Sequence, residues 1–246
     1  NITNCTFSGN TASYRGGAIW CADNSTPTIT DCVFSGNSAD FGGAICCYES
    51  SSPTITNCTF SDNRATGSYG EGGAIYCKSS SPTVDNCTFS GNDANLDGGA
   101  IECYDNSSPT ITDCTFSSNS AQYGGAIHCQ NSSSPTVINC NFSGNSAQFR
   151  GGAIYCKSSS PSITGCTFSG NSAGWYGGAI FCRDSSSPGI TNCTFSDNRA
   201  DYGGAVYCSY SSSPSITGCT FSGNSVNWYG GAIYCKSSSP TATNCT

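Results

Sequence analysis

One sentence of about 26 residues is repeated nine times along this chain, with each chemically distinctive residue held in its own column. The nine prolines show the rhythm: from Pro27 to Pro240 they fall 26, 29, 27, 26, 26, 27, 26 and 26 residues apart. An F-x-x-N element recurs with phenylalanines at 7, 34, 60, 89, 116, 142, 168, 195 and 221. A Gly-Gly-Ala-Ile/Val element begins at Gly16, Gly42, Gly72, Gly98, Gly124, Gly151, Gly177, Gly203 and Gly230. Self-similarity at a period of 20–50 residues marks a solenoid, in which each unit buries its apolar face only against its neighbours.

Composition alone points elsewhere. Leu, Ile, Val and Phe supply 34 of 246 residues, and the net charge is −7. So little apolar surface resembles a disordered chain. The fixed columns overrule that reading, because disorder gives no reason to keep Ile, Cys and Phe in register.

No segment has the three-to-four spacing of an amphipathic helix. Three short strand-like pieces stand in each repeat: Gly-Ala-Ile-x-Cys, Pro-Thr-Ile/Val and Asn-Cys-Thr-Phe. In the first and third, the apolar residues lie two apart and therefore on one face. Gly-Gly, Ser-Ser-Pro and Ser-Gly-Asn-Ser-Ala punctuate them. The expected fold is all-β, a right-handed parallel β-helix of about nine coils of 26–27 residues with three strands per coil. Nine coils stacked at roughly 4.8 Å make a rod about 43 Å long. Residues 1–246 form a single repeat array whose two ends share one phase and carry no cap. That pattern predicts a segment of a longer array or a unit that stacks end to end.

The asparagines of F-x-x-N, at Asn10, Asn37, Asn63, Asn92, Asn119, Asn145, Asn171, Asn198 and Asn224, suit an internal ladder of stacked amides. The residue between Ile and Cys varies freely: Trp20, Cys46, Tyr76, Glu102, His128, Tyr155, Phe181, Tyr207 and Tyr234. Such variety predicts a solvent face, with Trp20, Tyr76, Tyr155, Phe181, Tyr207 and Tyr234 as a surface row of aromatics able to stack on sugars or on another fibre.

The GGAI and F-x-x-N pairs, from Gly17–Ile19 with Phe7–Asn10 onward, resemble the repeat signature of the chlamydial polymorphic outer-membrane proteins. They are also similar to the wider set of bacterial right-handed parallel β-helix surface proteins. The resemblance implies a secreted or surface-displayed rod with adhesive or structural duties, although the chain contains no membrane-barrel segment and its cysteines are more regular than that family requires.

Twenty cysteines fall into nine same-repeat pairs, 10 or 11 residues apart: Cys21/Cys32, Cys47/Cys58, Cys77/Cys87, Cys103/Cys114, Cys129/Cys140, Cys156/Cys166, Cys182/Cys193, Cys208/Cys219 and Cys235/Cys245. Two readings stay open: stacked free thiols acting as small hydrophobes, or a disulfide closing each coil, which the constant spacing favours. A bridge over so short a loop contributes about 2–3 kcal/mol. Cys5 lacks a partner in the chain, and Cys46 is extra and expected to face outward, where it could join chains. With no Cys-x-x-Cys and one histidine, no metal site is expected.

No catalytic constellation stands out, and no cofactor site is expected. Lys78, Lys157 and Lys236 share one repeat position and read as solvated charges. Asp40, Asp62, Asp93, Asp97, Asp105, Asp184, Asp197 and Asp201 are scattered without an evident carboxylate pair. His128 sits at the variable position with no visible partner. Eight basic residues against fifteen acidic argue against nucleic acid, and no apolar run is long enough for a transmembrane helix. The sequence therefore reads as a non-enzymatic structural or adhesive extracellular β-helix, able to self-associate end to end or laterally and to contact surface glycans. The alternative is a carbohydrate-binding or polysaccharide-cleaving β-helix. A lesser one is ice binding, from the T-x-T pairs Thr28/Thr30, Thr54/Thr56, Thr110/Thr112 and Thr241/Thr243, interrupted at Asp85, Ile138 and Gly189.

Overall fold

A computed structural model describes all 246 residues and contains strands and turns but no helix. Every strand pairs in parallel with its equivalent one coil away, so the chain is a parallel β-helix. There are four sheets rather than three. The Ile-x-Cys strands (Ile75–Lys78 and its equivalents) form a nine-stranded sheet, the Pro-Thr-Ile strands (Thr83–Asp85) a ten-stranded one and the Thr-Phe-Ser strands (Thr88–Ser90) a nine-stranded one. The fourth, of eight strands, begins with Ser38–Ala39 and lies in the Ser-Ala segment that reads locally as a turn. Its strands span two to five residues, and their alanines, such as Ala39, Ala65 and Ala147, are buried.

The interior follows directly from the columns. Registered pairing places Ile over Ile, Cys over Cys and Phe over Phe from coil to coil. The nine phenylalanine rings stack nearly parallel, at 4.8–4.9 Å between centroids and 4–5° between planes. One contiguous core of 44 buried residues runs the length of the rod. Each coil lids the one below, which is how a sparse set of apolar residues suffices.

Polar ladders hold the corners. Each Asn donates its side-chain amide to the next coil's Asn Oδ1, as Asn92 does to Asn119 at 2.9 Å, and to a phenylalanine carbonyl on the other side, Phe60 at 3.0 Å. Asn37 through Asn198 are fully buried, and these bonds satisfy groups that would otherwise be stranded away from water. A second ladder lies in the Ser-Ser-Ser-Pro corner: the N–H of buried Ser107 donates to Ser133 Oγ at 3.0 Å, and its neighbours repeat the bond.

The Gly-Gly corner is the tightest. Its first glycine takes positive φ, from +61° to +74°. At the second, a Cβ would stand 2.0–2.2 Å from the next coil's glycine carbonyl in eight of nine repeats, so only glycine fits.

All twenty cysteines are free thiols, which corrects the expected same-coil bridges. None of the nine pairs is bonded: not Cys21 to Cys32, Cys47 to Cys58, Cys77 to Cys87, Cys103 to Cys114, Cys129 to Cys140, Cys156 to Cys166, Cys182 to Cys193, Cys208 to Cys219, or Cys235 to Cys245. The two members of each pair occupy separate columns, and each thiol stacks on its counterpart in the next coil. In the second column the thiol serves the turn instead of a bridge. Cys87 Sγ donates to Asp85 O at 3.2 Å and accepts the N–H of Cys58 at 3.4 Å. Cys32 repeats the arrangement, donating to Thr30 O at 3.2 Å and accepting the N–H of Cys5 at 3.4 Å. In the last coil Cys245, half-buried, donates to Thr243 O at 3.4 Å, while Cys235 is exposed. The constant 10–11 residue spacing thus reflects the constant path between two corners of the coil. Cys46 is also buried, under cover on the outer face of its sheet, and burial pushes its thiol up to about 12.

Candidate functional site

The outer surface of the Ile-x-Cys sheet departs from uniformity. Its variable column was expected to face solvent, but Tyr76, Glu102, His128, Tyr155, Phe181 and Tyr207 are all 5% exposed or less. Only Trp20 stands clear, at 58%, while Tyr234 is half-buried. The cover comes from the residues just before Gly-Gly, which pair coil to coil as Arg15, Phe41, Glu71, Asp97, Tyr123, Arg150, Tyr176, Tyr202 and Tyr229. The glycine corner is so tight that this column folds against the neighbouring sheet face. Variation there records what the cover can accommodate, not solvent exposure.

Two different chemistries occupy this corner. From Tyr155 onward it is aromatic: Tyr155, Phe181 and Tyr207 pack against Tyr176, Tyr202 and Tyr234, with centroids 4.7–5.8 Å apart along the row. In the preceding coils, carboxylates and a histidine replace the rings. His128 Nδ1 lies 3.0 Å from Glu102 Oε2 and 3.5 Å from Asp97 Oδ2, while Gln130 Nε2 donates to Glu102 Oε1 at 3.2 Å. His128 stacks on Tyr155 with centroids 4.6 Å apart, joining the two zones.

This cluster corrects two expectations. His128 is not a partnerless surface residue, and Asp97 does belong to a carboxylate pair, with Glu102, bridged by that imidazole. Glu102 and His128 are 26 residues apart in sequence but adjacent in register. Aligning the repeats in columns exposes the substitution, whereas scanning the acids along the chain hides it.

Burial sets the protonation. Desolvation, with Asp97 and Glu71 nearby, holds Glu102 well above the ordinary carboxylate range. Desolvation also raises Asp97, and lowers His128 from its usual value. Glu71, next to Asp97, is pushed up to about 8, first by burial and then by Asp97's charge. A protonated Glu102 would donate to Nδ1 and leave the imidazole hydrogen on Nε2. That Nε2 is buried and has no partner in the protein.

Above it opens a cavity of about 190 Å³ lined by Leu96, Asp97, Tyr123, His128, Gln130, Arg150, Tyr155, Lys157 and Arg183. Lys157 is not an isolated copy of Lys78 and Lys236: it lies between Gln130 and Arg183 in register, on the rim of this cavity. No group of His, Cys, Asp or Glu is arranged to hold a metal ion.

The exposed aromatics gather at the same corner. Of the eight exposed large hydrophobic residues, Tyr14, Tyr69, Trp175, Trp228 and Tyr229 lie just before Gly-Gly, Trp20 lies on the adjoining Ile-x-Cys strand, and Tyr210 follows the far end of that strand in its own coil; Val33 is the one that is not aromatic. The T-x-T threonines are elsewhere, flanking inward-facing Ile on the Pro-Thr-Ile sheet.

The architecture is that of a right-handed parallel β-helix. The chain belongs to the family described as right handed beta helix region, whose model matches residues 1–150 and 124–246 and so spans its whole length. No curated protein and no solved structure matches it.

Proposed function

We propose that this chain is a structural and adhesive β-helix rod, displayed at a cell surface or outside the cell, which grips carbohydrate through its Gly-Gly corner. The observation that carries this reading is that seven of the eight exposed large hydrophobic side chains are aromatic, five of them just before Gly-Gly: Tyr14, Tyr69, Trp175, Trp228 and Tyr229. A monomeric surface seldom concentrates apolar area without a partner. Flat rings presented in a row, with polar side chains between them, suit the apolar faces and ringed hydroxyls of a sugar chain. Surface display accords with the GGAI and F-x-x-N resemblance. It is also compatible with the free thiols, since 17 of the 20 are buried away from external oxidants.

Binding of the chain to a panel of insoluble polysaccharides tests the proposal. Retention by at least one of them is expected, weakened at least tenfold in a Trp175→Ala/Trp228→Ala variant with an unchanged melting temperature. Absence of retention on every glycan, or retention indifferent to the two tryptophans, would overturn it.

A further inference from the structure

The aromatic corner explains attachment to sugar but not the polar cavity at its centre, where the repeat is broken. Outside this corner the chain offers uniform columns. The interior thiols are sealed, an open hollow on the Ser-Ala face lined by Ser146, Ser172, Arg199 and Asp201 holds no buried polar atom without a partner, and the remaining acids are dispersed or locally paired, as in Arg64–Asp93 and Lys78–Asp105. The cavity over His128 is different in kind, because two of its lining residues, His128 and Arg150, each carry a buried side-chain nitrogen without a partner.

Four donors converge there. His128 Nε2 is buried and unpartnered. Arg150 reaches across the corner, its guanidinium within 5.6–5.9 Å of the Tyr123, Tyr176 and Phe181 ring centroids, and its buried Nε also lacks a partner. Lys157 and Arg183 stand in adjacent coils on the same rim. Arg183 is engaged by Asp184 at 3.0 Å, while Arg150 and Lys157 have no carboxylate within 4.0 Å. Three of the chain's eight basic residues thus face one cavity, in a protein whose net charge is −7. Asp97, also on the wall, is the one carboxyl facing in, and burial disfavours its ionised form. Gathering cations without counter-charges is unfavourable for the isolated fold, and a bound anion relieves it.

We propose that this cavity binds the carboxylate of an acidic sugar residue, within the glycan that the aromatic corner holds. Arg150 and Lys157 supply the charge, Arg183 stands beside Lys157 in the next coil, and His128 Nε2 donates to a carboxylate oxygen. Asp97 and Gln130 meet the sugar's hydroxyls. The planar guanidinium suits a two-oxygen acceptor, as it does in bidentate Arg–carboxylate pairs. The cavity volume, about 190 Å³, suits one monosaccharide unit. This inference rests on the carbohydrate-binding reading above and narrows it to a class of glycan.

Titration calorimetry on the intact chain tests it with three linear tetrasaccharides: a galacturonide, the same sugar fully methyl-esterified, and a neutral-backbone one carrying sulfates. The galacturonide is expected to bind at least tenfold tighter than its ester and to weaken with added salt. An Arg150→Gln/Lys157→Gln variant should lose that preference and bind acid and ester alike. A His128→Phe variant, which keeps a ring against Tyr155, should lose part of it. Melting curves matching the parent show that the variants fold. Equal binding of acid and ester overturns the anion site and leaves the adhesive reading standing. Tighter binding of the sulfated sugar overturns the choice of carboxylate. Failure of all three, together with failure on the polysaccharide panel, overturns both readings.

Discussion

The interior column and the Gly-Gly corner are built by the same strands, yet they obey different rules. Inside, Phe sits on Phe and Asn on Asn at every rung, because each residue is both floor and ceiling for its neighbours. A change there strands a donor or opens a void in two coils at once. At the corner, Tyr76 gives way to Glu102, His128 and then Tyr155 without disturbing the register. The interior is repetitive because stability demands it, and the corner varies because it is free to carry something else. Burying an acid–imidazole pair is a poor way to stabilise a fold when an aromatic would pack in the same place, and the proposed recognition site lies at this exception in coils four and five.

The contrast between interior and corner is sharpest at the second glycine of the Gly-Gly corner. Gly125→Ala would put a Cβ 2.2 Å from Gly152 O and 2.6 Å from Ser146 O. We expect a loss above about 4 kcal/mol, the range reserved for severe backbone conflicts. Because coils couple only to their neighbours, urea unfolding should split into two transitions as the rod divides into halves. A single transition near the parent midpoint would show that the corner is looser than described.

Phe116→Ala removes one ring from the stack, where it lies 4.8 Å from both Phe89 and Phe142. A loss of about 3–5 kcal/mol is expected from denaturant titration. A cost below about 1 kcal/mol would mean that the interior is not packed as a continuous column.

The corner should respond in the opposite direction. Glu102→Tyr with His128→Tyr restores the aromatic pattern of the neighbouring rungs, and thermal melting should show a gain of about 1–4 kcal/mol. Marked destabilisation would make the acid–imidazole pair a structural element and remove the contrast.

Much of this was legible in the chain. The period, the Phe and Asn columns and the strand pairing follow from counting residues, because stacking forces identical spacing. The fourth sheet was not, since a strand as short as Ser38–Ala39 carries no alternation and its residues equally suit a turn. The cover over the variable column was hidden for another reason. Variability normally signals solvent, and only the close approach at Gly99, where a Cβ would meet Gly125 O at 2.1 Å, folds the preceding residues onto the sheet. The cysteines, from Cys21 and Cys32 through to Cys235 and Cys245, misled because regular spacing is shared by bridges and by coil geometry.

A smaller effect should appear in pH dependence. Glu71 titrates near 8 in the folded chain and near 4.5 when unfolded. The folded state therefore holds a proton that the unfolded state releases, so this group's contribution is full below pH 4.5 and drains away as pH rises to about 8. Relative to the parent, Glu71→Gln should gain melting temperature steadily across that window and stay level above it. Parallel curves from about pH 4 to about pH 9 would show that Glu71 does not feel partial burial and the Asp97 charge.

The interior gives the rod its stability, and the proposed recognition belongs to the Gly-Gly corner alone. Amide chemical-shift mapping of the labelled chain, titrated with the tetragalacturonide, addresses it most directly. Shifts confined to the residues around Asp97, His128, Arg150, Tyr155, Lys157, Arg183 and Trp175 are predicted. Shifts centred on the Thr and Ser faces, or spread evenly along all nine coils, would contradict it.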